Sequence, residues 1–205
     1  MTTVFGYITN NFITITGDGV IYSKSQGKIV EKNRIKVWNL PEPYSNFVIS
    51  MAGNIDLASY GYNRFIKSIK KNTSLWQKIF RKPNNFNFVS EILVSEFEGT
   101  IQEGEEKYPP GTKMNIECLV GCFSKEEHIL LKYEFNNEET KITPIKIDTP
   151  IYIGLIKKDT MNSLSKSDLS SPYLCEQEFT KQIKIISKSN PEYVGGTISS
   201  VTLPK

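Results

Sequence analysis

The sequence has few of the residues on which common catalytic and metal-binding motifs depend. It contains one histidine, His128, and three cysteines, Cys118, Cys122 and Cys175. The cysteines cannot all pair with one another and form no C-x-x-C motif, so we expect reduced thiols in a cytoplasmic protein. With so few ligand and base residues we expect no metal site and no histidine-dependent triad. No phosphate-binding or dinucleotide-binding glycine loop is present either, and we expect no cofactor.

Long hydrophobic runs are also missing. The apolar stretches are a few residues long, far short of the roughly 20 residues that span a bilayer. No basic N-terminal segment leads into an apolar run, so we expect neither a secretory signal nor a membrane partner. The chain has 205 residues, 39% of them hydrophobic and 23% charged, which is an ordinary globular composition. We expect one domain over residues 1–205.

The chain as a whole has no large excess of charge of one sign, but two of its segments do. The net charge is only +3, from 25 basic and 22 acidic residues. Basic side chains nevertheless concentrate within residues 64–82 and acidic ones within residues 91–106. We favour two neighbouring amphipathic helices with oppositely charged solvent faces. The alternative is a nucleic-acid surface, for which the expected interleaved aromatic residues are lacking, and we expect no nucleic-acid partner.

The hydrophobic periodicity changes along the chain. Strand-like runs of β-branched and aromatic residues fall at 4–9, 12–22, 28–40, 47–51, 114–123, 128–135, 141–155 and 195–203. Helical spacing starts at Ile55 and again at Val89, with a loop expected over 76–87. A third helix is expected after Ser171-Pro172, where serine suits the N-cap and proline the first turn. This order predicts a layered domain in which helices cover two sheets.

The N-terminus offers chemistry that does not need histidine. Thr2 follows Met1 and is a small residue of the kind after which the initiator methionine is commonly removed. Removal would leave a hydroxyl nucleophile and a free α-amine on one residue, and an α-amine with a pKa near 8 can act as the base. The alternative is that Thr2 is an ordinary terminal residue.

The residues around Thr2 resemble a known family. Thr2-Thr3-Val4, followed by Phe12-Ile13-Thr14-Ile15-Thr16-Gly17-Asp18-Gly19, is similar to the start of proteasome β-type and HslV-like peptidases. The segment 33–40 resembles the family's lysine-bearing block, and Ser50-Met51-Ala52-Gly53 resembles the strand end beside the oxyanion hole. The resemblance covers about the first 70 residues and returns at Val194-Gly195-Gly196. It implies an α+β fold, a four-layer αββα Ntn-hydrolase sandwich of two antiparallel sheets.

The resemblance also implies catalytic roles. Thr2 Oγ would be the nucleophile of a threonine-type peptidase or amide hydrolase, and its α-amine would be the base. Lys36 would lower the pKa of the hydroxyl, and Asp18 would keep Lys36 charged. The Gly53 N–H would stabilise the oxyanion, and Met51 would line a substrate pocket. Without the resemblance, Asp18 is a turn aspartate, Lys36 an exposed strand lysine and Met51 a core residue.

Two departures from the family pattern favour a second interpretation. Leu155 follows Gly154 where the family has a serine, and Val194 replaces another serine, with Glu192 only approximating the family's aspartate. Because such serines orient the N-terminal amine, the alternative is a catalytically silent subunit with an assembly or binding role. For either function the resemblance implies a homo-oligomeric ring. It leaves an ATP-driven unfoldase open as a partner, beside a peptide or protein substrate, although nothing in the chain points to one.

Overall fold

The computed structural model describes residues 2–23, 28–79, 86–123, 128–157 and 159–205. In the described part of the first half, six strands precede two long helices: β1 (Thr3–Ile8), β2 (Phe12–Gly17), β3 (Ile21–Ser23), β4 (Lys28–Glu31), β5 (Val37–Asn39), β6 (Phe47–Gly53), α1 (Ile55–Ile79) and α2 (Phe86–Lys107). The described part of the second half contributes five strands and two helices: β7 (Asn115–Phe123), β8 (His128–Asn136), β9 (Thr140–Pro144), β10 (Ile151–Gly154), α3 (Thr160–Leu164), α4 (Pro172–Ser189) and β11 (Ser199–Pro204).

The strands form two larger antiparallel sheets and one hairpin. The first sheet has the order β10-β1-β2-β11, so the last strand of the chain pairs with one of the first. The second sheet has the order β5-β6-β7-β8-β9. Within the described ranges, strands β3 and β4 pair with each other and with no other strand. The N-terminal and C-terminal segments therefore meet in the first sheet.

Three apolar clusters define four layers. The cluster between the sheets contains Val4, Ile15 and Leu119, side chains from facing strands of both sheets. A second cluster joins the outer face of the second sheet to α1 and α2, and a third joins the first sheet to α4. Every residue of β1 and β2 is buried, as expected for strands covered on both faces. The expected arrangement of two sheets between helix layers is confirmed.

Local chemistry explains where two of the helices begin. The Ser171 side chain accepts a hydrogen bond from the Leu174 N–H, and Pro172 occupies the first turn of α4, as the sequence predicts. The Asn54 side chain accepts from the N–H groups of Asp56 and Leu57 at the start of α1. Both caps satisfy N–H groups that have no partner inside the helix.

The two oppositely charged stretches lie on neighbouring helices. Arg64 of α1 forms ion pairs with Glu96 and Glu103 of α2, and Ser68 donates a hydrogen bond to Glu96. The arrangement agrees with the amphipathic-helix interpretation and engages part of the basic stretch within the fold. The expected positions Arg81 and Lys82 lie outside the described residues.

Several expected element boundaries are wrong. The loop expected over 76–87 is shorter, because α1 continues to Ile79 and α2 begins at Phe86, while residues 80–85 lie outside the described residues. The chain over 141–155 is not one strand but β9 and β10, which belong to different sheets and are separated by Asp148 at φ 60°. Segment 28–40 likewise divides into β4 and β5.

Two further differences arise where the backbone turns. Strand β2 ends at Gly17, because Asp18 next to it accepts hydrogen bonds from backbone N–H groups outside the sheet. The last strand begins at Ser199 and not at Gly195, since Gly195 and Gly196 have positive φ angles of 136° and 69°. Helix α3 was not expected from the sequence.

Candidate active site

Asp18 joins three segments of the chain at the end of β2. Its side chain is fully buried, and Oδ1 accepts a hydrogen bond of 2.8 Å from the Thr3 N–H. Oδ2 accepts from Val20 at 3.2 Å and from Gly195 at 3.1 Å. Burial raises the pKa of Asp18 above the ordinary carboxyl value, against the charge of Lys36 and these N–H donors, which lower it. The carboxylate thus fixes the start of β1 relative to the segment before β11.

Lys36 lies one residue before β5 and is 1% exposed. Its Nζ donates to Thr2 Oγ1 at 2.6 Å and to the Val20 carbonyl at 2.5 Å, and it lies 3.4 Å from Asp18 Oδ1. An ammonium group has three hydrogens, and these three oxygens accept them. Burial lowers the pKa of Lys36 below the ordinary lysine value, while the charge of Asp18 opposes that change. The site therefore holds a buried cation against the Thr2 hydroxyl.

Thr2 is held through its backbone as well as its hydroxyl. It is 4% exposed, and its carbonyl accepts a hydrogen bond of 2.7 Å from the Leu155 N–H. Gly154 lies so close that an added Cβ would be 1.9 Å from the Thr2 carbonyl oxygen, and its φ is +83°. Only glycine fits there. The expected position Met1 lies outside the described residues.

Gly53 and Met51 lie on β6, beside this network. Gly53 ends the strand with φ +107°, and an added Cβ would be 2.2 Å from the Asn115 carbonyl oxygen. The Ala52 methyl group lies 3.3 Å from the position of a Cβ on Gly154. The end of β6 is therefore adjacent to the segment that contacts Thr2.

A cavity of about 360 Å³ opens next to Lys36. Met51 and Lys36 both line it, and Trp38 and Tyr62 contribute aromatic rings that stack with centroids 4.8 Å apart. The remaining lining residues are mostly polar: Asn33, Arg34, Ile35, Ser59 and Asn63. Among the described residues the lining includes two cationic side chains and no carboxylate, so it suits an apolar or aromatic group better than a basic one.

The two departures from the family pattern fall at different distances from Thr2. Leu155 contacts Thr2 through its backbone N–H, and its apolar side chain packs toward the α4 cluster. Val194 is fully buried in that same cluster, and Glu192 is exposed. The following residue, Gly195, contacts the site by its N–H on Asp18. The two positions at which the family has serines therefore carry apolar side chains that pack toward α4.

Contacts from Val20, Gly195 and Glu117 were not foreseen from the sequence. Val20 and Gly195 act through backbone groups, for which residue type gives no signal. Glu117 accepts a hydrogen bond of 2.8 Å from the Gly154 N–H, although the two residues are 37 positions apart. They meet because the second sheet, which contains β7, packs on the first sheet, which contains β10.

The residues set aside in the sequence stay apart from the contact network around Thr2. Cys118, Cys122 and Cys175 are buried and form no disulfide, and burial raises the pKa of Cys175 to about 12. His128 stacks on Phe123 with centroids 4.1 Å apart. Among the described residues no group of three or more histidine, cysteine, aspartate or glutamate side chains could hold a metal ion. No described helix combines the length and apolar character needed to cross a bilayer.

The fold defines a structural class. No family profile matches the chain, and no curated protein matches its sequence. Many solved structures match its fold. They include Ntn-hydrolase-like proteins built on two antiparallel sheets with helices, so the expected α+β fold of this class is confirmed.

Two kinds of protein represent that class among the matches. Eukaryotic HslV from Trypanosoma brucei superposes with a TM-score of 0.64 at 11% identity, covering 99% of each chain. Anbu from Pseudomonas aeruginosa, described as a helical assembly, gives a TM-score of 0.72 at 12% identity over 98% of this chain and 81% of that one. A Gly-1 mutant of Anbu from Hyphomicrobium sp. strain MC1 gives 0.67 at 16%, over 98% and 80%. At these identities the likeness establishes the fold alone.

Proposed function

We propose that this chain is a proteasome-like subunit and an N-terminal-threonine amide hydrolase, with Thr2 as the nucleophile after removal of Met1. The observation that carries the proposal is the buried Lys36 ammonium, 2.6 Å from Thr2 Oγ1 and paired with Asp18. Burying a charged lysine is energetically unfavourable unless the ammonium group is paired with an opposite charge and hydrogen-bonded. Here the cation faces the hydroxyl whose ionisation it would favour.

The proposed reaction follows from the chemistry of these groups. The Thr2 α-amine accepts the Oγ proton while Oγ bonds to the scissile carbonyl carbon. The Gly53 N–H stabilises the oxyanion of the tetrahedral intermediate. The C–N bond then breaks, and the leaving amine takes the proton from the α-ammonium. Water, deprotonated by the same amine, hydrolyses the resulting ester and restores the Thr2 hydroxyl.

The cavity lined by Met51 is the proposed site for the substrate side chain on the acyl side of the scissile bond. Its stacked Trp38 and Tyr62, and the lack of a carboxylate among its described lining residues, favour an apolar or aromatic side chain. The proposed substrate is a peptide or protein. We further propose a single domain that works as a cytoplasmic homo-oligomer.

The mass of the intact protein tests the nucleophile. After exposure to a β-lactone that acylates N-terminal threonine hydroxyls, we expect loss of Met1 and one adduct on Thr2, located by tandem mass spectrometry. Thr2→Ala and Lys36→Ala should stay unlabelled. Lys70→Ala, which removes an exposed lysine of α1, should be labelled like the wild type. A retained Met1, or a trimmed protein with unreactive Thr2, contradicts the proposal.

A catalytically silent subunit is the second candidate. The apolar Leu155 and the buried Val194 favour it, because neither side chain can orient an amine. The buried pair of Lys36 and Asp18 opposes it. Unreactive Thr2 in a correctly trimmed, assembled protein would support this second function.

A further inference from the structure

A carboxylate from the second sheet reaches the segment that holds Thr2 in the first sheet. Glu117 lies on β7, and its Oε2 accepts a hydrogen bond of 2.8 Å from the Gly154 N–H. Gly154 is paired in register with Thr3, and the next residue, Leu155, donates its N–H to the Thr2 carbonyl at 2.7 Å. The Glu117 contact and the Thr2 contact are thus made by consecutive residues.

The placement of Glu117 is unfavourable on sheet grounds alone. It lies directly opposite Glu134 of β8, and like charges in that position repel each other. Lys132 lies between them, with Nζ 2.9 Å from Glu117 and 3.1 Å from Glu134. Burial lowers the pKa of Lys132, but its hydrogen bonds and charge contacts with both glutamates outweigh that effect and raise it. Lys132 therefore offsets the repulsion between Glu117 and Glu134.

The end of β6 lies on the other side of Glu117. Glu117 is in register with Ala52, one residue before Gly53, and Ala52 is close to Gly154. The side chain of Glu117 is 15% exposed, so the contact lies mostly out of water. The carboxylate thus joins the proposed oxyanion strand to the segment that holds the nucleophile.

We propose that Glu117 is a positioning residue for the reaction at Thr2, an inference that rests on the proposed function. By accepting the Gly154 N–H, Glu117 keeps the Leu155 N–H on the Thr2 carbonyl and so fixes the Thr2 backbone, from which the hydroxyl projects toward Lys36. The side chain of Leu155 cannot hydrogen-bond Thr2, so this backbone clamp supplies the orientation. Lys132 holds Glu117 in place, and Glu134 only shares Lys132.

Three variants separate positioning from general stability. Glu117→Ala removes the acceptor, Glu117→Gln keeps an amide oxygen, and Glu134→Ala removes the other charge beside Lys132 without touching Gly154. In β-lactone kinetics we expect Glu117→Ala to lower the saturating acylation rate about tenfold with unchanged half-saturation, because a small misplacement of reacting groups slows the chemical step. The acylation rate of Glu117→Gln should be within about threefold of the wild-type rate, since its amide oxygen still accepts the Gly154 N–H. The rate of Glu134→Ala should stay within about twofold, because Glu134 does not contact Gly154.

Hydrogen–deuterium exchange of residues 151–157 tests the clamp without any catalysis. We expect faster exchange there in Glu117→Ala than in the wild type or Glu134→Ala. Equal behaviour of Glu117→Ala and Glu134→Ala in rate and exchange, or a glutamine no better than alanine, overturns the proposal. If Glu117→Ala does not fold, Glu117→Leu, which removes the acceptor but keeps a side chain of similar size, is compared with Glu134→Leu. Faster exchange only in Glu117→Leu supports the clamp, and equal exchange in the two overturns it. If wild-type Thr2 is not acylated, the proposed function fails, whereas exchange still decides whether Glu117 holds Gly154.

Discussion

At the scale of single residues, the site depends on two buried charges that burial disfavours individually. Lys36 and Asp18 are 1% and 0% exposed, and removing one partner of a buried pair typically costs about 3–5 kcal/mol. The pair persists because backbone groups complete it. Asp18 receives three N–H donors, and Lys36 donates to the Val20 carbonyl. The remaining ammonium hydrogen is directed at Thr2 Oγ1, the only side-chain hydroxyl that the described contacts give Lys36.

The pH dependence of acylation should report this pair. On the acid side, the rate should fall as the Thr2 α-amine, with an ordinary pKa near 8, becomes protonated. On the alkaline side, it should fall as Lys36 loses its proton, below the ordinary lysine pKa of about 10.4, because burial lowers the pKa of Lys36. The measurement is the β-lactone acylation rate from pH 6 to 11.

Asp18→Asn gives the direction of the effect. Asp18 raises the pKa of Lys36, so its neutral replacement should move the alkaline fall to lower pH. Circular dichroism of the variant controls for loss of fold. An alkaline fall that stays in place in Asp18→Asn, or a rate still rising beyond pH 10.5, would show that the charge on Lys36 is not needed.

At the scale of elements, the sequence predicts strands and helix starts that are marked by side-chain type. It does not predict boundaries that depend on backbone dihedral angles. The β-branched runs of β1 and β2 and the Ser171 cap carry their own signals, so these elements were predicted. The division between β9 and β10 was not predicted, because it involves a positive φ angle at Asp148 that residue type does not signal. Helix α1 runs from Ile55 to Ile79 and so extends past residue 76, where the sequence predicts the start of a loop.

The candidate site divides in the same way. Thr2, Asp18 and Lys36 were predicted, since a resemblance in spacing marks side chains. Gly195 and Val20 contribute backbone groups, and Glu117 reaches Gly154 because the second sheet packs on the first, so no local pattern could indicate them. Long-range pairing of this kind is specified by the whole fold and by no single segment.

The packing of α1 against β5 allows a test of the substrate cavity. Among peptide amides that differ only in the residue before the scissile bond, we expect phenylalanine or leucine to be cleaved at least about tenfold faster than lysine. A tenfold difference corresponds to about 1.4 kcal/mol. The physical reason is that Arg34 and Lys36 line the cavity and no carboxylate does.

A change of charge on α1 sharpens this test. Ser59→Glu places a carboxylate in the lining and should raise cleavage after lysine about tenfold relative to phenylalanine. Lys67→Glu, on the exposed face of the same helix, should leave that ratio unchanged. Equal ratios in the two variants would mean that another surface binds the substrate side chain.

At the scale of the whole molecule, the position of the cavity bears on assembly. Its lining residues Arg34 and Ile35 are exposed, and Ile35 is 53% exposed, so in a lone chain the proposed substrate cavity opens directly to solvent, although Thr2 itself is 4% exposed. A hydrolase with such an open site would act on any unfolded chain that it meets. Enclosure by further copies would restrict access without changing the site.

We therefore expect light scattering coupled to size-exclusion chromatography to give a mass that is a multiple of 23.3 kDa at micromolar concentration. Thr2→Ala should have the same mass and no acylation, because the hydroxyl is needed for chemistry and contributes one contact to the fold, the one from Lys36. A monomeric wild type that still acylates at Thr2 would show that the chemistry needs no enclosure. An assembled wild type without acylation would support the catalytically silent subunit, since the protein would then form the assembly but not carry out the reaction.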